Sequence, residues 1–171
     1  MDMEVMEFQK SNMGFEVWKE LSRGKFHFAS GALCEAFLVD DALYPGWLVL
    51  VPQRENATEL FHLSPEDQIT LMQEVTLSSR AAQKAFGPDK INVGALGNEV
   101  AQLHIHVVPR FRTDKAWPWP VWGAISPLKF SADELWSTFA RLKNFFKDLS
   151  EESSFNFQDL VDEEQPENQD G

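Results

Sequence analysis

The sequence predicts an α+β fold: an antiparallel sheet of about five strands flanked by helices, followed by a C-terminal helix and an acidic tail. Aliphatic strands occur in groups, with helices on either side of them in sequence, which is typical of this class. A length of 171 residues with 43% hydrophobic residues is enough for one substantial core. We therefore expect a single domain over residues 1–150 and an acidic tail over residues 151–171.

The first third of the chain contains a predicted helix and a pair of strands. "MGFEVWKELSRG" (13–24) is typical of a short helix that ends at Gly24. "ALCEAFLVD" (32–40) and "WLVLVPQ" (47–53) are rich in β-branched and aliphatic residues and enclose the turn sequence "DDALYPG". They predict two strands of a hairpin-like pair.

The clearest predicted element is a central helix. Ser64 is a natural N-cap, Pro65 suits the first helical position, and Gly87 followed by Pro88 ends the helix. Its predicted core-facing stripe consists of Met72, Val75, Ser79, Ala82 and Phe86.

Two more strands, a loop and a helix are predicted beyond it. "KINVGAL" (90–96) and "VAQLHIHVVPRF" (100–111) are strands joined through "GNE". "AWPWPVWG" (116–123) predicts a rigid loop, on which a base could stack or a partner subunit could dock, or whose indoles simply cap the sheet. Ser131 and Glu134 form a capping box that opens the last helix. The apolar strip of that helix consists of Leu135, Phe139, Leu142, Phe146 and Leu149.

The net charge of −12 is unevenly distributed. Residues 151–171 hold eight acidic residues and no Lys or Arg, so the other 150 residues carry 19 acids against 15 bases. This balance argues against binding of extended nucleic acid, which needs a basic face. A nucleotide remains a suitable ligand, because a few local cations and backbone amides suffice to bind it.

The sequence also indicates a cellular compartment. It has no run of 18 or more apolar residues, so no membrane span is predicted. Its acidic N-terminus lacks the layout of a signal peptide. Cys34 is the single cysteine, which excludes an intramolecular disulfide. We expect a cytoplasmic protein.

The segment "AQLHIHVVPRF" contains the candidate functional residues Gln102, His104 and His106. On a strand, Gln102, His104 and His106 share one face, while Leu103, Ile105 and Val107 face the core. Residues two apart on one face lie about 6.5–7 Å from each other, which lets two imidazoles contact neighbouring atoms of one substrate. The alternatives are an exposed polar face without function, or a metal clip. A metal site would need further ligands, and Cys34, His27 and His62 lack ligand-like spacing, so neither a metal nor a cofactor is predicted.

The same segment resembles a known family signature. "QLHIHVV" is similar to the His-φ-His-φ-His-φ-φ motif of the histidine triad (HIT) superfamily, where φ is apolar, with Gln102 in the place of the first His. "PGWLVLVPQRENATELFHLSPEDQ" resembles the "PGHxLVxPxR" segment of its fragile-histidine-triad and dinucleoside polyphosphate hydrolase branch. "NVGALGNEVAQLHIHVVPR" follows the family layout before the triad. The resemblance covers about residues 36–112.

The resemblance implies a nucleotide hydrolase or nucleotidyl transferase that acts on the α-phosphate of a phosphoanhydride or phosphoramidate. His104 matches the nucleophile that becomes a covalent nucleotidyl-histidine, and His106 matches a phosphate contact. Gln102 can position the phosphate or the nucleophile, but an amide cannot act as a proton donor at neutral pH. The resemblance also implies a homodimer. The competing hypothesis is a non-catalytic nucleotide-binding module.

Five further residues are candidates for substrate binding. Asn92 matches the Asn at the start of the loop strand, and Asn98 matches a phosphate contact. Asp40, or alternatively Asp41, matches a ribose contact, and Trp47 replaces the His of "PGH". Arg110 follows His106 in phase and could bind an outer phosphate. Four of them have a structural alternative: Asn92 could bridge backbone groups, Asp40 could shape a turn, Asn98 could favour the Gly97 bend and Arg110 could lie in solvent.

Overall fold

The computed structural model describes residues 19–123, 126–148 and 155–157. It confirms the predicted α+β fold, an antiparallel sheet flanked by helices with a C-terminal helix. The elements in chain order are α1 (Lys19–Ser22), β1 (Lys25–Ser30), β2 (Cys34–Val39), β3 (Leu48–Pro52), a 3-10 helix (Leu60–His62), α2 (Pro65–Phe86), β4 (Lys90–Gly94), β5 (Ile105–Arg110), α3 (Ala132–Asp148) and β6 (Asn156–Phe157).

The described strands form one sheet in the order β4-β5-β3-β2-β1-β6, and every neighbouring pair is antiparallel. The predicted pair β2–β3 is present, with Leu38 opposite Leu48. Strand β1 was not predicted, although its alternation of Phe26 and Phe28 with Lys25 and His27 is a strand signal. The reason is that this short run follows Gly24 directly and has few β-branched residues.

Helix α2 begins and ends as predicted, but its core-facing stripe differs. The Ser64 hydroxyl accepts a hydrogen bond from the Asp67 amide at 3.1 Å, and Gly87 ends the helix in the left-handed conformation. Met72 is 61% exposed, so its assignment to the core was wrong. The buried positions are Leu71, Glu74, Val75, Leu77, Ser78, Ala81, Ala82 and Ala85.

One face of the sheet holds the main core beneath α2 and α3. Leu103, Ile105 and Val107 lie in it, as the alternation predicted. The Ser131–Glu134 capping box opens α3, since each residue hydrogen-bonds the other's backbone amide. The strip of α3 is confirmed at Phe139, Leu142 and Phe146, which are buried; Leu149 lies outside the described residues.

Strand β5 is shorter than predicted. It begins at Ile105, so Gln102 and His104 lie in the segment before the strand rather than on it. The Leu103 amide donates instead to the Ala57 carbonyl at 2.9 Å, outside the sheet ladder. The bend before Ile105 matters for the site, because it places the backbone carbonyl of Gln102 beside the ring of His104.

Two other expectations concern the ends of the chain. The predicted helix over 13–24 is described only as α1, since its earlier residues lie outside the described part. Within the predicted tail, Phe155 is buried against Phe146 at a centroid distance of 5.4 Å, and β6 pairs with β1. None of the helices in the described ranges has the length and apolar character to cross a membrane.

Candidate active site

The candidate site lies on the sheet face opposite α2 and α3. Residues that are directly opposed in an antiparallel sheet point to the same face. The register opposes Gly94 to His106, His106 to Val49, and Val49 to Phe37. These residues therefore form a row across the sheet, which places the triad-like segment on the face away from the main core.

His104 is a buried imidazole held by the protein backbone. Its side chain is buried, and its Nδ1 lies 2.7 Å from the backbone carbonyl oxygen of Gln102. A carbonyl only accepts, so Nδ1 carries the proton and Nε2 holds the lone pair. Burial lowers the pKa of His104, and the Gln102 and Leu96 backbone partly offsets that effect. The ring is therefore a neutral, oriented imidazole at pH 7.

His106 is the second buried imidazole, and it is also neutral. Its ring centroid lies 5.1 Å from that of His104. Burial, followed by the charges of His104 and Lys25, lowers the pKa of His106 to about 3. The indole Nε1 of Trp47 donates a hydrogen bond to Nδ1 of His106 at 3.0 Å. Trp47 thus contacts the triad-like segment itself.

Aromatic side chains surround His106. The Trp47 and Trp122 ring centroids lie 5.6 and 5.5 Å from that of His106. The segment 116–123 is a loop, as predicted, and Trp122 packs against Gly94 so closely that a Cβ there would lie 3.0 Å from the indole. A larger residue at position 94 would therefore require the Trp122 indole to shift by a few tenths of an ångström.

Arg110 occupies a different environment from the one predicted. It is only 1% exposed and its guanidinium binds Asp114 through two nitrogens, at 2.8 and 3.0 Å. It also donates to Asn92 Oδ1 at 2.8 Å and to the Trp119 carbonyl at 2.9 Å. These bonds engage the guanidinium within the protein, which favours a structural role for Arg110 over the predicted contact with an outer phosphate.

The remaining predicted residues are distributed around the site. Asn92 lies on β4 opposite Val108, and its Oδ1 is engaged by Arg110. Asp40 accepts a hydrogen bond from the Phe130 amide at 3.0 Å, so it ties the end of β2 to the segment before α3. Asn98 is exposed in the loop between β4 and β5.

Sequence reasoning missed three residues that shape the site. Asp114 stands four residues after Arg110, and this spacing of opposite charges was a usable signal. Lys25 belongs to the unpredicted strand β1, and Trp122 could not be singled out among the indoles of its loop.

Among the residues that the structure describes, no three His, Cys, Asp or Glu side chains cluster in a way that could hold a metal ion.

An antiparallel sheet of six described strands that presents two neighbouring imidazoles on one face fits the histidine triad class of proteins. The family model of the HIT domain matches residues 25–113. Three solved histidine triad proteins are similar to the chain over 98% of their own lengths. They come from Sinorhizobium meliloti 1021 (39% identity, 78% of this chain, TM-score 0.75), Bradyrhizobium japonicum (36%, 77%, 0.75) and Marinobacter aquaeolei VT8 (35%, 79%, 0.74).

The chain belongs to the HIT family. A search of the curated proteins finds no match. Members of the family bind nucleotides and are commonly nucleotide hydrolases or transferases.

Proposed function

We propose that this protein is a nucleotide hydrolase or nucleotidyl transferase that cleaves at the α-phosphate of its substrate through a covalent nucleotidyl-histidine on His104. The observation that carries the proposal is the 2.7 Å hydrogen bond from Nδ1 of His104 to the Gln102 carbonyl. It fixes the tautomer and leaves the lone pair of Nε2 available for attack on phosphorus.

The reaction has two displacement steps. Nε2 of His104 attacks the α-phosphorus, a P–N bond to the imidazole forms, and the bond from phosphorus to the leaving group breaks. Water, or a second nucleophile in a transfer reaction, then attacks the same phosphorus and releases His104 with the nucleoside monophosphate transferred. The neutral state of His104 supports the first step, because a protonated imidazole has no lone pair to donate.

The developing charge on the phosphate oxygens requires donors that are already in place. His106 supplies one, since its Nδ1 accepts from Trp47 and its proton is therefore on Nε2. The Gln102 side chain and exposed Asn98 are proposed as neutral donors, and Asp40 as a ribose contact. Asn92 is proposed to act through its amide nitrogen, because its oxygen already binds Arg110.

The proposed substrate class follows from the proton-donating capacity of Gln102 and His106. We assign the protein to the fragile-histidine-triad-like branch, with a dinucleoside polyphosphate or a related phosphoanhydride as substrate. A polyphosphate leaves as a stable anion, whereas an amine must be protonated. Neither Gln102 nor neutral His106 is a ready proton source at pH 7.

A second copy of the chain is the proposed partner. Strand β4 lies at the edge of the sheet and pairs only with β5 among the described strands. Large apolar side chains are exposed on β4 and on α2: Val93 at 50%, Ile69 at 61% and Met72 at 61%. An unpaired strand edge can pair with another chain, and exposed apolar side chains can contribute to an interface.

The competing proposal is a nucleotide-binding module without turnover. Gln102 favours it, because the first triad position lacks a group that can donate a proton at neutral pH. His104→Asn separates the two functions. For an enzyme, turnover of dinucleoside polyphosphates falls by about 10³-fold or more while nucleotide affinity stays within severalfold. A wild-type protein that binds nucleotides tightly and turns none over would support the binding module.

A further inference from the structure

The environment of His106 contains a feature that the family signature does not include. Trp47 immediately precedes β3, and its indole Nε1 is 3.0 Å from Nδ1 of His106. The two rings are tilted by 59° at a centroid distance of 5.6 Å, so the contact is a hydrogen bond made edge-on rather than a stack. An indole nitrogen can donate a hydrogen bond but cannot accept one.

A donor-only partner restricts the proton positions of His106. If Nδ1 carried a proton, two N–H groups would point at each other within a buried site, and neither would have an acceptor. Both the cation and the Nδ1–H tautomer contain that proton. Only the neutral form with the proton on Nε2 satisfies Trp47 and His106 together.

We propose that Trp47 is a positioning residue that holds His106 as the neutral Nε2–H tautomer, so that His106 presents a fixed N–H donor to the substrate phosphate. This inference rests on the proposed function for the identity of the ligand, but the state of His106 itself can be measured without substrate. It replaces the sequence-based expectation that Trp47 touches the nucleotide directly.

Other groups near His106 also favour its neutral form, but they do not select one of its two neutral tautomers. Lys25 and His104 oppose a positive charge on His106, and burial does the same. Trp122 contacts the ring from another element, with an interplanar angle of 74°. These effects favour a neutral ring, whereas the Trp47 hydrogen bond is the one that, within the described residues 19–123, distinguishes Nδ1 from Nε2.

Trp122 provides a matched control because it is an indole at nearly the same distance from the same imidazole. Its Nε1 is buried and makes no hydrogen bond to any residue that the structure describes. Trp47→Phe and Trp122→Phe therefore remove comparable ring contacts, but only the first removes a donor to His106.

The test is histidine ¹⁵N NMR of the full-length protein between pH 5 and 8, with His104→Asn used to assign the signals. In the wild type, Nδ1 of His106 is expected to stay unprotonated over the whole range, with the proton on Nε2. In Trp47→Phe, the ring stays neutral but the proton lies on Nδ1 in a substantial fraction of molecules, because the indole no longer selects between the two neutral tautomers. In Trp122→Phe, Nδ1 stays unprotonated.

Trp47→His is the second variant, because it keeps a ring that can accept as well as donate a hydrogen bond. It is expected to permit protonation of Nδ1, as Trp47→Phe does. A wild-type His106 with its proton on Nδ1 would overturn the proposal. Equal behaviour of the Trp47→Phe and Trp122→Phe variants would overturn it as well, because the donor would then have no role separate from packing.

Kinetics then test the catalytic consequence. Trp47→Phe is expected to lower kcat about tenfold and to leave KM within about twofold, because the fixed donor acts on charge that develops in the transition state. A rise in KM with unchanged kcat would overturn the positioning role and return Trp47 to substrate binding. If the wild type shows no turnover, the proposed function fails, while the NMR result still decides whether Trp47 sets the tautomer.

Discussion

At the scale of single residues, the chemistry of the site depends on which ring nitrogens of His104 and His106 carry a proton. His104 has its proton directed at the Gln102 carbonyl, and His106 has its acceptor nitrogen directed at Trp47. Both rings are neutral because the protein buries them. The chemistry expected here is therefore nucleophilic attack assisted by neutral donors, which suits substrates with good leaving groups.

Gln102→His tests this view of the leaving group. A histidine at position 102 can supply a proton that an amide cannot. We expect kcat for an adenosine phosphoramidate to rise by about tenfold or more, while kcat for a dinucleoside polyphosphate changes by less than about threefold. The measurement is the ratio of the two rates in the variant and the wild type.

Gln102→Ala is the control for this substitution, since it keeps the backbone carbonyl that orients His104. It is expected to lower both rates by similar factors, because it removes a donor and adds no acid. An equal change of both rates in Gln102→His would show that protonation of the leaving group does not limit this enzyme.

At the scale of elements, buried polar groups join neighbouring segments. Arg110 on β5 binds Asp114 in the following loop and Asn92 on β4. Burial alone would raise the pKa of Asp114, but the hydrogen bonds and charge of Arg110 outweigh it and lower that pKa. This stabilisation is present above the unfolded pKa of about 3.9 and is lost as the pH falls through the lower folded value.

Arg110→Ala is expected to reduce the free energy of unfolding by about 3–5 kcal/mol at pH 7, because it leaves a buried carboxylate unpaired. Denaturant unfolding measures the loss. The double variant Arg110→Ala/Asp114→Ala should recover part of it. A fully stable Arg110→Ala with only a raised KM would return Arg110 to the role of a phosphate ligand.

Glu74 is another buried carboxyl, and it connects α2 to the turn before β2. It accepts hydrogen bonds from the amides of Leu33 and Cys34, both at 2.9 Å. Burial raises its pKa. The raised folded value means that the contribution of Glu74 to stability is largest below its unfolded pKa and declines as the pH rises through the folded value.

Glu74→Gln is therefore expected to flatten the pH dependence of stability above about pH 4.3, the unfolded pKa of a glutamate. The amide oxygen of Gln can still accept from a backbone amide, so the fold is retained. Thermal unfolding of both proteins across pH 4–8 measures the difference. Parallel curves for wild type and variant would mean that Glu74 does not titrate in this interval.

The sequence predicted the elements with strong local signals and missed those defined by tertiary contacts. Helix α2 has a cap at each end, and β3 is an uninterrupted aliphatic run, so both were found. In contrast, β5 was predicted too long, because "VAQLH" is apolar enough for a strand while its backbone binds Ala57 instead. The core-facing positions of α2 were predicted partly wrongly because Glu74, a buried acidic residue, gave no apolar signal in the sequence.

The same distinction holds within the site. The proximity of His104 and His106 follows from their spacing of two residues and was predicted. The hydrogen bond between Trp47 and His106 spans 59 residues of sequence, and the bond between Arg110 and Asn92 spans 18. No local sequence pattern indicates hydrogen bonds between residues so far apart in the chain. The contacts of Trp47 and Arg110 could therefore be identified only from the structure.

At the scale of the whole molecule, the exposed edge of the sheet bears on assembly. Ile69 and Met72 lie three residues apart on α2, so they share one side of the helix away from the core. We expect Ile69→Glu/Met72→Glu to convert a dimer to a monomer, because the two charges would be buried in an apolar interface. Light scattering after size exclusion measures the mass.

Phe61→Glu is the matched control, since Phe61 is 76% exposed but lies in the 3-10 helix. It should leave the oligomeric state unchanged. A monomeric wild type, or a dimer that persists in the double variant, would contradict an interface at this surface.

The central claim is that His104 forms a covalent bond to phosphorus. The most direct measurement is the intact mass of the protein after brief incubation with a dinucleoside polyphosphate, quenched without acid to preserve the P–N bond. We expect a transient mass increase of one nucleoside monophosphate in the wild type and none in His104→Asn. Turnover without any adduct, or an adduct that persists in His104→Asn, would contradict the claim.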